Sequence, residues 1–180
     1  MTAPDKLVQD TSDQVIQNLR KQSNIANNLS AAYQIIDQYV APNVDDLGMA
    51  RSVLGRDRWM AATPAQQARF TQAFKVLVMR TYAAALSQYT NERVRVLPFH
   101  ASPADDRVLV QTQILGDGPP LSVNYRLVRL NNTWKMYDFD VEGVSMLRSF
   151  RSQFNETLAN NHNNIDALIT DIEQHNLGKS

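Results

Sequence analysis

Apolar positions recur along this chain first with a helical period and then, beyond Tyr89, with a period of two. Residues 4 to 28 predict a first helix, with Val8, Thr11, Val15 and Leu19 on one stripe. Ser30 is placed to cap a second, which gathers Tyr33, Ile36 and Tyr39 or Val40 before Pro42 stops it. Asp45-Asp46 opens a third through Met49, Val53 and Leu54, closed by Gly55 where a left-handed cap is favoured, and Trp59 follows. The stretch from Thr63 to Tyr89 predicts the central helix. Thr63 and Gln66 form a capping box, and Pro64 sits at the first helical position. Phe70, Phe74, Leu77, Val78 and Thr81 share a face; from Val76 to Leu86 only Arg80 is charged. A helix apolar around most of its circumference requires burial on several sides or a guest to cover it.

Alternation then predicts four strands: Arg93 to Phe99, Arg107 to Leu115, Leu121 to Leu130 and Thr133 to Val141. The breaks carry turn chemistry, including the Asn131-Asn132 hairpin signal, and short turns between consecutive strands imply an antiparallel meander. In the fourth strand, simple alternation sets Trp134 and Met136 on the face opposite Tyr137 and Phe139. Both faces then read as apolar and covered. Two helices close the chain, one carrying Leu147, Phe150, Phe154 and Leu158, the other Ile165, Leu168, Ile169 and Ile172. The fold class is α+β, a four-stranded antiparallel sheet packed with helices.

Composition narrows the function. A chain of 180 residues that is 43% hydrophobic supports one well-filled core and reads as a single domain. No apolar run approaches the roughly 18 residues of a membrane span, and the start lacks the regions of a signal peptide, so a secreted protein would already have lost its signal. Without cysteine there is no thiol catalysis. His100, His162 and His175 lack partners at metal-ligand spacing, so no metal site is expected. Asp138, Asp140 and Glu142 alternate along the last strand, an arrangement open to a metal or general base but better read as a surface or arginine-paired face. No phosphate loop or nucleophile motif occurs, and neutral net charge argues against nucleic acid. Charge is nevertheless uneven: Arg51 to Arg151 holds 14 basic and 8 acidic residues, the flanks 4 and 10. That middle segment could meet anionic headgroups or an acidic partner.

Four blocks, MARSVLGRDRW (49–59), ATPAQQARFTQAFKVLVMRTYAAAL (62–86), WKMYDFDVEGVSMLRSFRSQF (134–154) and NNIDALITDI (163–172), resemble the MlaC family, the toluene-tolerance or ABC-transporter auxiliary proteins. The resemblance runs in order through nearly the whole chain, with Trp59 one residue later than the family pattern usually has it. It implies one MlaC-like domain over 1–180, with a helical part at 1–62 and the central helix, sheet and last helices at 63–180. It implies an NTF2-like sheet packed with helices around an apolar lipid cavity. It further implies a periplasmic phospholipid carrier, not an enzyme, that moves lipid between an outer-membrane lipoprotein-porin complex and an inner-membrane ABC transporter with an MCE-type subunit, maintaining outer-membrane lipid asymmetry. The lipid would be cargo rather than cofactor, and the protein a monomer. Carriage of another amphiphile such as a hopanoid, or NTF2-like enzymology, is the alternative.

The physical requirement agrees, because exposing roughly thirty methylenes at about 0.8 kcal/mol each forbids unaided passage through water. On this reading Phe74, Val78, Tyr82 and Leu86 of the central helix line the cavity with Val110, Tyr125 and Phe139 of the sheet. Val144 and Met146, where the last strand turns into a helix beyond Gly143, stand at its mouth. Arg80, Arg148 and Arg151 are the candidates for contact with the headgroup or a partner.

Overall fold

The computed structural model describes residues 2–22, 28–86 and 92–178. Helices α1 (Pro4–Lys21), α2 (Leu29–Ile35), α3 (Asp46–Leu54), α4 (Arg56–Ala61) and α5 (Pro64–Leu86) precede the sheet, and α6 (Met146–Asn160) and α7 (Ile165–Asn176) follow it. Residues 23–27 of the expected first helix and 87–89 of the expected central helix lie outside the described residues. Several local signals act as read: the Thr63 hydroxyl accepts from Gln66 N at 3.1 Å while the Gln66 side chain accepts from Thr63 N at 2.9 Å. Gly55 takes φ 87°, a left-handed value that glycine adopts without a Cβ penalty. Others differ. The cap of α2 is Asn28, whose side chain accepts from Ala31 N, so the helix begins one residue before Ser30. Its expected continuation to Pro42 is a π turn at Ile36–Val40 and a 3-10 turn at Ala41–Asn43.

Strands β1 (Arg93–Val96), β2 (Arg107–Leu115), β3 (Leu121–Leu130), β4 (Thr133–Val141) and a short β5 (Val144–Ser145) form one antiparallel sheet in sequence order. The two-residue β5 extends the expected four strands to five. Asn131 and Asn132 both take positive φ, as a tight hairpin turn requires.

The reading of β4 as apolar on both faces is corrected by its register. Arg126 pairs with Asp138 but Leu127 pairs with Met136, which leaves Tyr137 as an extra residue. This β-bulge shifts the phase of alternation by one. Trp134 and Met136 therefore share the face of Phe139 and Val141, and the other face carries Asn124, Arg126, Asp138 and Asp140.

The chain forms two compact units. The first comprises residues 1–45 and 82–145. In it, the first half of α1 brings Val8 onto Val110, Leu127 and Trp134 of the sheet, edged by partly buried Leu7, Val96, Phe99, Val108 and Tyr125. The second half of α1 packs Val15 and Leu19 against Ala31, Ala32 and Ile35 of α2 and Ala83 of α5, edged by Tyr33, Ile36, Tyr39 and Val40.

The second unit comprises residues 46–81 and 146–180. Its centre is aromatic: Phe70 and Phe74 stack at 5.9 Å, while Phe150 and Phe154 meet Phe74 edge-on at 5.5 and 5.7 Å. All four rings are buried. Gln67 donates to Trp59 O at 2.8 Å and Asn176 to Ala73 O at 3.0 Å, which fixes α4 and the end of α7 to α5.

Candidate functional site

Pairing register alone aligns three of the expected lining residues. Val110 lies opposite Tyr125, and Tyr125 opposite Phe139, so the three cross β2, β3 and β4 on one face. The last turns of α5 bring Tyr82 to the same place. Its ring meets Phe139 edge-on with centroids 4.8 Å apart, and Phe139 lies 6.4 Å from Tyr125. Val110 is fully buried, whereas Tyr82, Tyr125 and Phe139 keep part of their surface in contact with solvent. Burial pushes the Tyr125 hydroxyl up to about 12. Burial raises Tyr82 as well, helped by the negative charge of Asp138.

The other expected residues are distributed differently. Phe74, 2% exposed, belongs to the closed aromatic centre of the second unit, and Val78 is partly buried in the same unit. Leu86 ends α5, and its side chain lies outside the described residues. Val144 is 63% exposed and Met146 only 1%. Arg80 and Arg148 are exposed; Arg151, also exposed, donates to the backbone oxygen of Ser52 and, at 3.2 Å, to its hydroxyl, which ties α6 to α3.

Apolar side chains beyond those expected are left partly buried at two clusters of the first unit. Val96, Phe99 and Val108 flank the sheet cluster, and Tyr33, Ile36, Tyr39 and Val40 flank the helical one, all partly buried. Spacing 33, 36, 39 and 40 places the second group on one helical stripe of about 120°, so the sequence gathers them without telling core from lining. Ile36, Tyr39 and Val40 lie in the π turn, and such turns are frequent at functional sites.

The acidic residues of β4 are engaged by neighbours. Asp140 accepts from Asn124 at 3.1 Å and lies 3.7 Å from Arg126. Asp138 accepts the Ser145 hydroxyl at 2.6 Å and the Phe139 N–H at 2.8 Å, and Glu142 accepts from Ser122 N at 2.8 Å. This is the paired face that the alternative to a metal or general base describes. Among the described residues no group of three or more His, Asp or Glu side chains is placed to hold a metal ion, and no helix is long and apolar enough to cross a membrane.

A five-stranded antiparallel sheet whose helix-covered face presents partly exposed aromatic and aliphatic side chains defines an α+β protein built to take an apolar guest. Residues 9–174 match the MlaC protein family, and the chain belongs to it. It is 30% identical over 170 residues to the toluene tolerance protein ttg2D of Pseudomonas putida, covering 92% of this chain and 78% of that one. It is 26% identical over 178 residues to the intermembrane phospholipid transport system binding protein MlaC of Haemophilus influenzae, covering 96% and 82%. The fold is similar to that of the phospholipid-binding protein from Ralstonia solanacearum, solved in complex with a phospholipid. That likeness has a TM-score of 0.90 at 28% identity and covers 98% of each chain.

Proposed function

We propose that this protein carries phospholipid between membranes as the binding component of an Mla-type intermembrane transport system. The observation that carries the reading is the aromatic face formed by Tyr82, Tyr125 and Phe139, apolar yet only partly buried, in a chain of the MlaC family. Water against such a face is costly, and acyl chains relieve that cost without any catalytic group. The relative from Ralstonia solanacearum, similar over 98% of both chains, holds a phospholipid, which supports the same cargo here. A carrier of this kind catalyses no reaction.

The finer assignments follow from that reading. The protein works in the periplasm as a monomer, receiving or delivering lipid at an outer-membrane lipoprotein-porin complex and an inner-membrane ABC transporter with an MCE-type subunit. A single family match runs through both units, which supports treating 1–180 as one MlaC-like domain. Tyr82, Tyr125 and Phe139 touch the acyl chains, backed by the buried Val110, with Leu86 as the further candidate on α5; Phe74, enclosed by Phe70, Phe150 and Phe154, packs the second unit instead. Val144, with Met146 just beyond it, stands at the mouth. Arg80, Arg148 and Arg151 meet the phosphate or an acidic partner surface.

Lipid extraction and native mass spectrometry of the purified protein test the reading, with Val144→Glu as the paired variant. The wild type should carry phospholipid. The variant should remain folded, because Val144 is 63% exposed and its carboxylate can stay in water, yet hold less lipid beside an ionised group. A wild type that never acquires phospholipid, even when mixed with vesicles, sinks the carrier reading. A folded Val144→Glu protein with a full complement removes only Val144 from the mouth.

A further inference from the structure

The backbone passes from the first unit to the second, or back, at three places: after Asp45, before Tyr82 and after Ser145. All three of these first-unit residues meet β4 within the four residues Met136 to Phe139. Asp45 N donates to Met136 O at 2.8 Å, next to the parallel bridge between Val44 and Met136. Tyr82 packs on Phe139 at 4.8 Å. Ser145 Oγ donates to Asp138 Oδ2 at 2.6 Å. The short segment that gathers them contains the bulge residue Tyr137.

Asp138 is central to this arrangement. It is 6% exposed, and each of its carboxylate oxygens is used: Oδ1 accepts the Phe139 N–H at 2.8 Å and Oδ2 the Ser145 hydroxyl. A bulge interrupts the ladder that would otherwise fix the strand, so the backbone there depends on side-chain acceptors. Hydrogen bonds to an ionised acceptor are about twice as strong as neutral ones. One carboxylate thus holds the bulge backbone that sets the Phe139 ring, and the residue at which β5 leaves the sheet.

We propose that Asp138 is a positioning residue for cargo retention, holding Phe139 and Ser145 so that the aromatic face of Tyr82, Tyr125 and Phe139 keeps one shape around the acyl chains. This rests on the carrier reading. Asp138 touches no lipid; its effect passes through Phe139, and through Tyr82 packed upon it. Loosening it leaves the same apolar side chains available for uptake but lets the face rearrange, so cargo leaves sooner.

Ser145→Ala removes the hydroxyl that Asp138 Oδ2 accepts while leaving the carboxylate itself in place, and Ser145→Thr restores the donor. Asp138→Asn keeps the size but exchanges one of the two acceptor oxygens for a donor. Each protein is loaded with a fluorescent phosphatidylcholine, and its release to phosphatidylcholine vesicles is timed. Ser145→Ala should release about tenfold faster, the loss expected for one charge-assisted hydrogen bond, and Ser145→Thr at close to the wild-type rate. Leu158→Ala, a core truncation in α6, serves as the stability control: it should lower the thermal midpoint while changing release less than about twofold. Asp138→Asn should match or exceed Ser145→Ala, and the Ser145 variants decide the matter if it fails to fold. Release from Ser145→Ala at the wild-type rate, or equal acceleration by Leu158→Ala, overturns the positioning role while the carrier reading stands. A wild type that takes up no phosphatidylcholine overturns both.

Discussion

Tyr125 joins the sheet to the aromatic face, and its hydroxyl reports on that position. Burial raises it from 10.0 to about 12, so its ionised form is disfavoured in the folded protein. Below about pH 10 the phenol is protonated in both states and its contribution to stability is fully present. As pH rises from about 10 towards 12, the unfolded chain loses the proton first and stability falls, by on the order of 2 kcal/mol in all. Urea midpoints should therefore drop between about pH 9 and about pH 11.5, and the drop should shrink in Tyr125→Phe. Tyr82 shifts in the same direction, so a smaller fall persists in that variant. Identical alkaline losses in the two proteins would place the Tyr125 hydroxyl in water. Tyr82, Val110, Tyr125 and Phe139 were all legible as candidates from the sequence, because apolar periodicity assigns residues to faces. Which of them remain partly open was not, since an apolar residue reads alike whether another side chain or solvent covers it. Phe74 illustrates this: it shares the α5 pattern with Tyr82, yet Phe70, Phe150 and Phe154 enclose it.

At the scale of elements, the bounds of strands 107–115, 121–130 and 133–141 match the expected ones residue for residue, and the capping box of α5 forms both of its bonds. The bulge in β4 was not read, although its mark is present. Apolar positions fall at 134 and 136 and then at 137, 139 and 141, a slip of one in an otherwise strict period. Read without a bulge, that slip becomes a second apolar face. With Tyr137 set aside, it becomes one face, and the Arg107 guanidinium stacked 4.9 Å from the Tyr137 ring shows where the extra side chain goes. Deleting Tyr137 should then be tolerated, because it removes the extra residue and leaves Trp134, Met136, Phe139 and Val141 in strict alternation on one face. The deletion protein should therefore keep a cooperative unfolding transition, and Tyr137→Ala should cost only about 1 kcal/mol, from the cation–π contact and some packing. Circular dichroism melting of the two variants checks this, and a deletion protein without a cooperative transition would mean that Tyr137 is not the extra residue of the register.

Across the whole molecule, the two units use their apolar residues differently, and that difference predicts where the cargo contributes to the fold. The second unit encloses its Phe70, Phe74, Phe150 and Phe154 rings, with Leu158, Leu168, Ile169 and Ile172 also buried. The first leaves many large side chains partly open along both of its clusters, from Leu7, Val96, Phe99 and Val108 to Tyr33, Ile36 and Tyr39. A ligand that binds only the folded state stabilises it by mass action, by about 2.7 kcal/mol at a hundredfold excess over its dissociation constant. That stabilisation is felt most where the ligand completes the packing. Removing the lipid should accordingly raise amide exchange in β2, β3 and β4 and in α1 and α2, while α6 and α7 stay close to their loaded protection. Exchange mass spectrometry on loaded protein and on protein stripped by detergent and returned to buffer makes the comparison, and reloading with phospholipid should restore the original pattern. If stripping instead loosens α6 and α7 and leaves β2 to β4 unchanged, the acyl chains rest on the second unit, and Phe74 and Val78 rather than Tyr125 and Phe139 are the residues that hold them.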